Sequence, residues 1–263
     1  MANISDGRGI LYPTRLPTFH REPAPIDLND LIRWFWIPQW DLAPGRTSRQ
    51  ELLPFPASNL VVQPVDIILA GPTTGRSHRD LEGNGWAVGA LLRPAGIAQL
   101  HSSPAEIRNA EVDMEFPDLH RSICRAMAHP DAETARQNAV VAYVQWAREK
   151  FDTPDGTAQL ANQMEDLIAS EPTVTRVDHI AEHLAMSVRS VQRLAQRYIG
   201  LSPLAVIRRY RLQEAAHRLR EDDSLTIAQV AADLGYADHA HLSADFRTVL
   251  GMAPQQYRRQ TPQ

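Results

Sequence analysis

A chain of 263 residues, 43% of them hydrophobic, can bury the core of one large domain or of two ordinary ones. No apolar run approaches the roughly 18 residues of a membrane span, and the opening MANISDGRGILYPTRLP lacks the basic-then-apolar order of a secretion signal, so a soluble protein of the cytoplasm with no membrane partner is expected. Cys124 is the only cysteine, which excludes an intrachain disulfide and every zinc cage built of thiolates, while a net charge of −4 selects no partner by itself.

Up to about Ala98 the chain is rich in proline and carries the short β-type runs LIRWFWIPQW, SNLVVQP, VDIILAG and GWAVGALL. Turn signals at Ala43-Pro44-Gly45, Gly71-Pro72 and Gly83-Asn84-Gly85 separate them. This pattern predicts a small antiparallel barrel or sandwich. Trp34, Trp36 and Trp40 fall on one face of the first run, where they either line an effector pocket or pack a core. His78, His101, His120 and His129 do not form a close H-x-H metal cluster.

Beyond Pro104 apolar residues recur at three- and four-residue spacing, so FPDLHRSICRAM, AETARQNAVVAYVQWAREKF and TAQLANQMEDLIAS read as helices, with a hinge at Asp152–Gly156. The functional boundary is expected near Ser170. From Glu171 onward 12 arginines face 10 acids, a balance of +2 that leaves −6 for the first 170 residues. Between Val188 and Arg220 eight arginines (Arg189, Arg193, Arg197, Arg208, Arg209, Arg211, Arg218 and Arg220) meet only Glu214, a local +7. Such a run is either a polyanion-binding face or a solvated helix surface.

In this region His179, Glu182 and His183 form H-x-x-E-H, the order of inverted zinc peptidases. An internal repeat argues against that chemistry. Ile180, Ala181 and Leu184 recur fifty residues on as Val230, Ala231 and Leu234, and Val191, Gly200 and Pro203 recur at fifty-one as Leu242, Gly251 and Pro254. Thr175 with Asp178, and Thr226 with Gln229, are expected to cap the first helix of each unit, and Ser187 and Asp238 the second. Gly200 and Gly251 suit helix ends. Each unit thus has the pattern of a helix-turn-helix, whose second helix enters the DNA major groove. If Ile180, Ala181 and Leu184 fill the apolar face, the two histidines project to solvent, and no third zinc ligand is identifiable.

The stretches IAEHLAMSVRSVQRLAQRYIGLSP, RLQEAAHRL and IAQVAADLGYADHAHLSADFRTVLGMAPQQYRR resemble the DNA-binding domain of the AraC/XylS family of bacterial transcription regulators. The resemblance covers about the last ninety residues and implies two helix-turn-helix units joined by one linker helix on the same face of DNA. Ala195 stands where the family usually has an aromatic, which implies looser packing of the first recognition helix, and Ala244 occupies a position often used for base contact. Arg189, Gln192 and Arg193 match positions where the family reads bases. Arginine can pair with guanine and glutamine with adenine, the competing roles being phosphate contact or solvation. His239, Ala240, Ser243 and Ala244 form the equivalent face of the second helix. Arg197 joins the basic DNA-facing set, and Arg247, Tyr257 and Arg258 are expected to touch phosphate or hold the fold. A linker helix from Pro203 to Leu219, about 26 Å long, buries Leu212, Ala215, Ala216 and Leu219.

WFWIPQWDLAPG and LAGPTTGRSHRDLEGNGWAVGALLRPAGIAQL resemble the cupin-like sensory domains that precede this module, with Arg93-Pro94-Ala95-Gly96 as the closest local match. The fold class that follows is α+β: a β-rich cupin-like barrel over 1–103, a helical connection over 104–170 that also offers a dimerisation surface, and an all-α tandem helix-turn-helix domain over 171–263. The function that follows is a non-enzymatic, sequence-specific transcription regulator, monomer or homodimer, without metal or cofactor. Its expected partners are double-stranded promoter DNA, a small-molecule effector and RNA polymerase. The alternative of a different class is an enzyme with a cupin-like catalytic domain fused to a DNA-binding anchor.

Overall fold

A computed structural model describes residues 18–260, so the expectations for the opening segment and for the last three residues of the chain fall outside the described residues. The N-terminal half is built from short strands: β1 (Thr18–Pro23), β2 (Ile32–Asp41), β3 (Thr47–Leu52), β4 (Asn59–Val62), β5 (Ile67–Ala70), β6 (Ser77–Glu82), β7 (Asn84–Trp86), β8 (Val88–Leu92) and β9 (Glu111–Asp113). One sheet runs β1-β2-β8-β4-β5-β9 with β7 also on β2, and β3 pairs with β6 in a separate ribbon. All pairings are antiparallel, as the short runs predicted.

The apolar runs give β2, β4, β5 and β8. The ribbon was not foreseen because TSRQEL and SHRDLE carry no apolar alternation; opposite charges across the strands, such as Arg49 on Asp80 at 2.8 Å, hold it instead. A short helix, α1 (Pro94–Leu100), replaces the β character expected up to Ala98, started by Pro94 in its first turn. In β2 a register shift between Ile32 and Trp34 puts Ile32 on the same face as Phe35 and Ile37, all fully buried.

Two helices cover that face, α2 (Pro117–Met127) and α3 (Ala132–Lys150). Leu119, Ile123 and Tyr143 share one core with Phe35, Leu60 and Leu92, and the buried Tyr143 hydroxyl donates to the Leu60 carbonyl at 2.8 Å. The next helix, α4 (Gly156–Ser170), is capped by Asp155 and leaves this core: Ala158, Ala161, Met164 and Ile168 pack instead with the C-terminal helices. Residues 104–170 are therefore divided between two cores.

The C-terminal half comprises α5 (Val177–His183), α6 (Val188–Tyr198), α7 (Pro203–Glu221), α8 (Ile227–Asp233), α9 (His239–Leu250) and α10 (Pro254–Gln260). Ser187 and Asp238 cap α6 and α9, and Thr226 with Gln229 forms a full capping box on α8. The cap expected from Thr175 and Asp178 does not form. Arg176 is the N-cap without a side-chain bond, because it draws Asp178 into an ion pair, and His179 Nδ1 lies 3.4 Å from the Thr175 backbone nitrogen. The two corners repeat in detail. Met186 N–H bonds the Ala181 carbonyl at 2.8 Å around Ala185 at φ 51°, and Tyr236 N–H bonds the Ala231 carbonyl at 2.9 Å around Gly235 at φ 67°.

The halves share an apolar core, to which Phe55, Leu91 and Ala95 of the N-terminal half contribute, and polar contacts join them as well. Glu165 of α4 accepts from Arg33 of β2 at 2.8 Å and from the Tyr210 hydroxyl of α7 at 2.9 Å, while Arg93 pairs with Asp166 at 2.5 Å. Asn162 of α4 accepts from the Ala95 backbone at 3.0 Å, capping α1, which has no capping side chain of its own. Elsewhere Gln213 donates to the Pro54 carbonyl at 3.0 Å, Arg209 donates to the Thr74 carbonyl, and Arg76 N–H bonds the Val249 carbonyl at 3.0 Å.

Candidate nucleic-acid interface

Helix α6 buries Val191, Leu194, Ala195 and Tyr198, so its 3.6-residue period turns Arg189, Gln192, Arg193, Gln196 and Arg197 outward. Arg189, Gln192, Arg193 and Gln196 share an open cleft whose other wall is Val177 and the start of α7 at Ser202–Leu204. Gln196 was missed by the sequence argument, although its spacing of three from Arg193 and four from Gln192 places it on their face. Arg197 is exposed, with its guanidinium 5.2 Å from the Tyr198 ring centre, and does not line the cleft. Ala195 is fully buried, in a core that also holds Ala95 of α1, so the N-terminal half packs beside the helix at this small residue.

The second unit presents α9 in the same way. Leu242, Phe246, Val249 and Leu250 are buried; His239, Ala240, Ala244 and Arg247 are exposed, and Ser243 is half-buried. This face is far less basic than that of α6. The His241 ring meets Tyr236 edge-on at 5.2 Å, which ties the start of α9 to the corner before it.

The eight-arginine run divides into two classes. Arg209 reaches the Thr74 carbonyl, and Arg211 donates to the Leu234 carbonyl at 2.6 Å with its guanidinium 4.0 Å from the Tyr236 ring centre; burial pulls both below the ordinary arginine range. Arg218 bridges Glu214 at 2.8 Å and Asp233 at 3.2 Å, and Arg220 meets Glu221 at 3.3 Å. The exposed members are Arg189, Arg193, Arg197 and Arg208. The local +7 therefore overstates the charge offered to a polyanion, because half of the arginines are spent on the fold. Arg258 likewise donates to the Leu225 carbonyl and Tyr257 is fully buried, so both are engaged within the fold, whereas Arg247 stays exposed.

His183 is exposed, with Nδ1 2.8 Å from the His179 carbonyl. His179 is half-buried instead of solvent-facing, with Nδ1 3.0 Å from the Thr173 carbonyl. Among the described residues no group of three His, Cys, Asp or Glu side chains is placed to hold a metal, and no helix is long and apolar enough to cross a membrane.

Trp34, Trp36 and Trp40 lie on the face of β2 opposite Phe35 and are each half-buried. Trp36 donates to Asn59 Oδ1 at 2.9 Å and covers Gly89, where an added Cβ would lie 2.1 Å from the indole. Trp40 donates to the Glu82 carbonyl at 3.1 Å and covers Gly85 in the same way. Trp34 packs edge-on against Phe55 at 6.1 Å, beneath the Arg21 guanidinium at 4.8 Å.

Two like-built helix-turn-helix units, each exposing its second helix and joined by one linker helix, define a DNA-binding class of protein. A family described as a helix-turn-helix domain matches residues 180–260, and one described as a domain of unknown function (DUF6597) matches residues 20–113. The HTH-type transcriptional activator RhaS of Escherichia fergusonii is 35% identical over 79 residues, 30% of this chain and 28% of its own. A Streptomyces lividans protein named as an AraC-like transcription regulator is 35% identical over 83 residues, 32% of this chain and 27% of its own. The chain thus spans under a third of the length of these relatives. Among solved structures, apo ToxT from Vibrio cholerae is 11% identical with a TM-score of 0.47, covering 92% of this chain and 100% of that one. An AraC-type regulator from Chromobacterium violaceum is 26% identical with a TM-score of 0.34, covering 40% of this chain and 89% of that one. The C-terminal part is an AraC-type helix-turn-helix domain, similar to those of these regulators.

Proposed function

We propose that this chain is a sequence-specific transcription regulator of promoter DNA whose N-terminal half senses a small-molecule effector or a partner. The observation that carries the proposal is the set Arg189, Gln192 and Arg193, exposed together in one cleft on a capped, well-buried helix and matched by a second such helix at the far end of α7. Bidentate pairing of arginine with guanine and of glutamine with adenine is the chemistry this set supplies. The DNA-binding unit begins with α4, whose apolar face packs on α5–α7, and the sensory unit extends through α3. Trp34 is the member of the tryptophan face that reaches the DNA-binding half, through Phe55 at 6.1 Å and on to Tyr210 at 5.6 Å. An effector on that face would act through this contact. Contact with RNA polymerase and the choice between monomer and homodimer belong to the same proposal.

The test is a binding titration of the full chain on a duplex that it selects from a random library and on unselected DNA. Arg193→Ala or Gln192→Ala should cost about 1–3 kcal/mol on the selected duplex and much less on the other. Equal losses on both would make α6 an electrostatic anchor and leave sequence reading to α9 and DNA shape.

A further inference from the structure

Helix α7 carries Leu204, Arg208, Arg211 and Ala215 at spacings of four, three and four, one stripe along one face. The C-terminal end of the stripe is covered: Ala215 is fully buried with α8 and α9, and Arg211 stacks on Tyr236. The N-terminal end is uncovered. Leu204 is 39% exposed and forms part of the wall facing Arg189, Gln192 and Arg193, and Arg208 is exposed one turn further on. Arg208 therefore lies between the cleft of the first unit and Tyr236, the corner residue that leads into α9. Its neighbours Arg209 and Arg211 are each held by a backbone carbonyl.

The 19 residues of α7 span about 28 Å, close to the roughly 34 Å between successive major-groove segments on one face of B-DNA. Between two such segments the minor groove faces the protein. A cation exposed on the linker between the two recognition helices, as Arg208 is in the second turn of α7, meets that groove, and a narrow A·T-rich groove concentrates negative potential and attracts arginine.

Resting on the DNA-binding function proposed above, we infer that Arg208 enters the central minor groove, which faces the linker between the two recognition helices, with Leu204 against the groove edge, so that the linker helix is a third DNA-reading element. An exposed arginine there prefers A·T pairs at the centre, a specificity that neither recognition helix supplies.

The experiment selects a 30-base-pair duplex from a randomised library with the full wild-type chain, then compares it with the same duplex carrying G·C pairs at its centre. Selected duplexes should be A·T-rich at the centre, and the central change should weaken wild-type binding by roughly tenfold. Arg208→Ala, at an exposed position, should bind the selected duplex roughly tenfold more weakly and the two duplexes alike. An unaltered ratio between the duplexes in Arg208→Ala, whether or not overall affinity falls, overturns this inference alone, as does a centre without base preference. Failure of the wild-type chain to enrich any duplex overturns the DNA-binding function and this inference with it.

Discussion

The hydroxyl of Tyr210 on α7 donates to Glu165 Oε1 on α4 at 2.9 Å, while the other oxygen of the same carboxylate lies 2.8 Å from Arg33 of the sheet. A carboxylate only 1% exposed thus joins the N-terminal half to the helix that links the two helix-turn-helix units. Replacing one partner of a buried pair leaves the other charge uncompensated, at about 3–5 kcal/mol. Arg33 keeps some water and a second contact to Asp166 at 3.3 Å, so Glu165→Gln should cost less, about 2–3 kcal/mol in urea unfolding. An unchanged urea midpoint would remove this triad from the forces that hold the halves together.

The two corners differ in the one residue that takes the left-handed backbone. Ala185 at φ 51° carries a Cβ where Gly235 at φ 67° does not. Ala185→Gly should relieve that strain and raise stability by about 0.5–1 kcal/mol, net of the extra freedom glycine gives the unfolded chain. Gly235→Ala should lower it, since a Cβ there would also lie 2.8 Å from Thr175 Cγ2. Thermal melts of the two variants should therefore shift in opposite directions.

Because α4 contributes Ala158, Ala161, Met164 and Ile168 to the core of the first unit and Glu165 to Tyr210, truncation before or after it should have unequal effects. A fragment starting at Asp155 should give a cooperative helical melt. One starting at Glu171 should melt at least 10 °C lower or without cooperativity, given the loss of several buried side chains. Equal melting of the two fragments would place the boundary near Ser170 after all.

Burial lifts Tyr143, Tyr210, Tyr236 and Tyr257 above the ordinary phenol range, and for Tyr210 the adjacent Glu165 adds to it. A folded value above the unfolded one means that the native state holds the proton longer. Stability is then fully present below the unfolded value near 10 and falls as pH rises above it. Ultraviolet titration should show these four tyrosines ionising only as the chain unfolds; normal ionisation of any of them in the folded state would contradict its burial.

Arg247 and Arg258 lie near each other in sequence but should separate by assay. Arg247→Ala should leave stability unchanged and reduce the salt slope of DNA binding by roughly one counterion. Arg258→Ala, which strips the Leu225 carbonyl of its donor, should cost about 1 kcal/mol of stability with the slope unchanged. The reverse assignment would show that Arg258 leaves its carbonyl when DNA binds.

Local physics wrote much of this protein into its sequence. The fifty-residue repeat, the caps at Ser187, Asp238 and Thr226, the left-handed Gly200 and Gly251 and the outward face of α6 all follow from contacts within a few residues, so periodicity and capping chemistry were enough to read them. The ribbon of β3 and β6 and the roles of the arginines depend on partners far along the chain. Arg209 and Arg208 are adjacent and chemically identical, yet one finds the Thr74 carbonyl 135 residues away while the other is left to solvent. Glu165 and Asn162 likewise sit in an ordinary amphipathic helix, and only docking against Arg33 and Ala95 turned them inward. Which side of a charged helix is solvated and which is buried is decided by what packs against it, and that is a property of the whole fold.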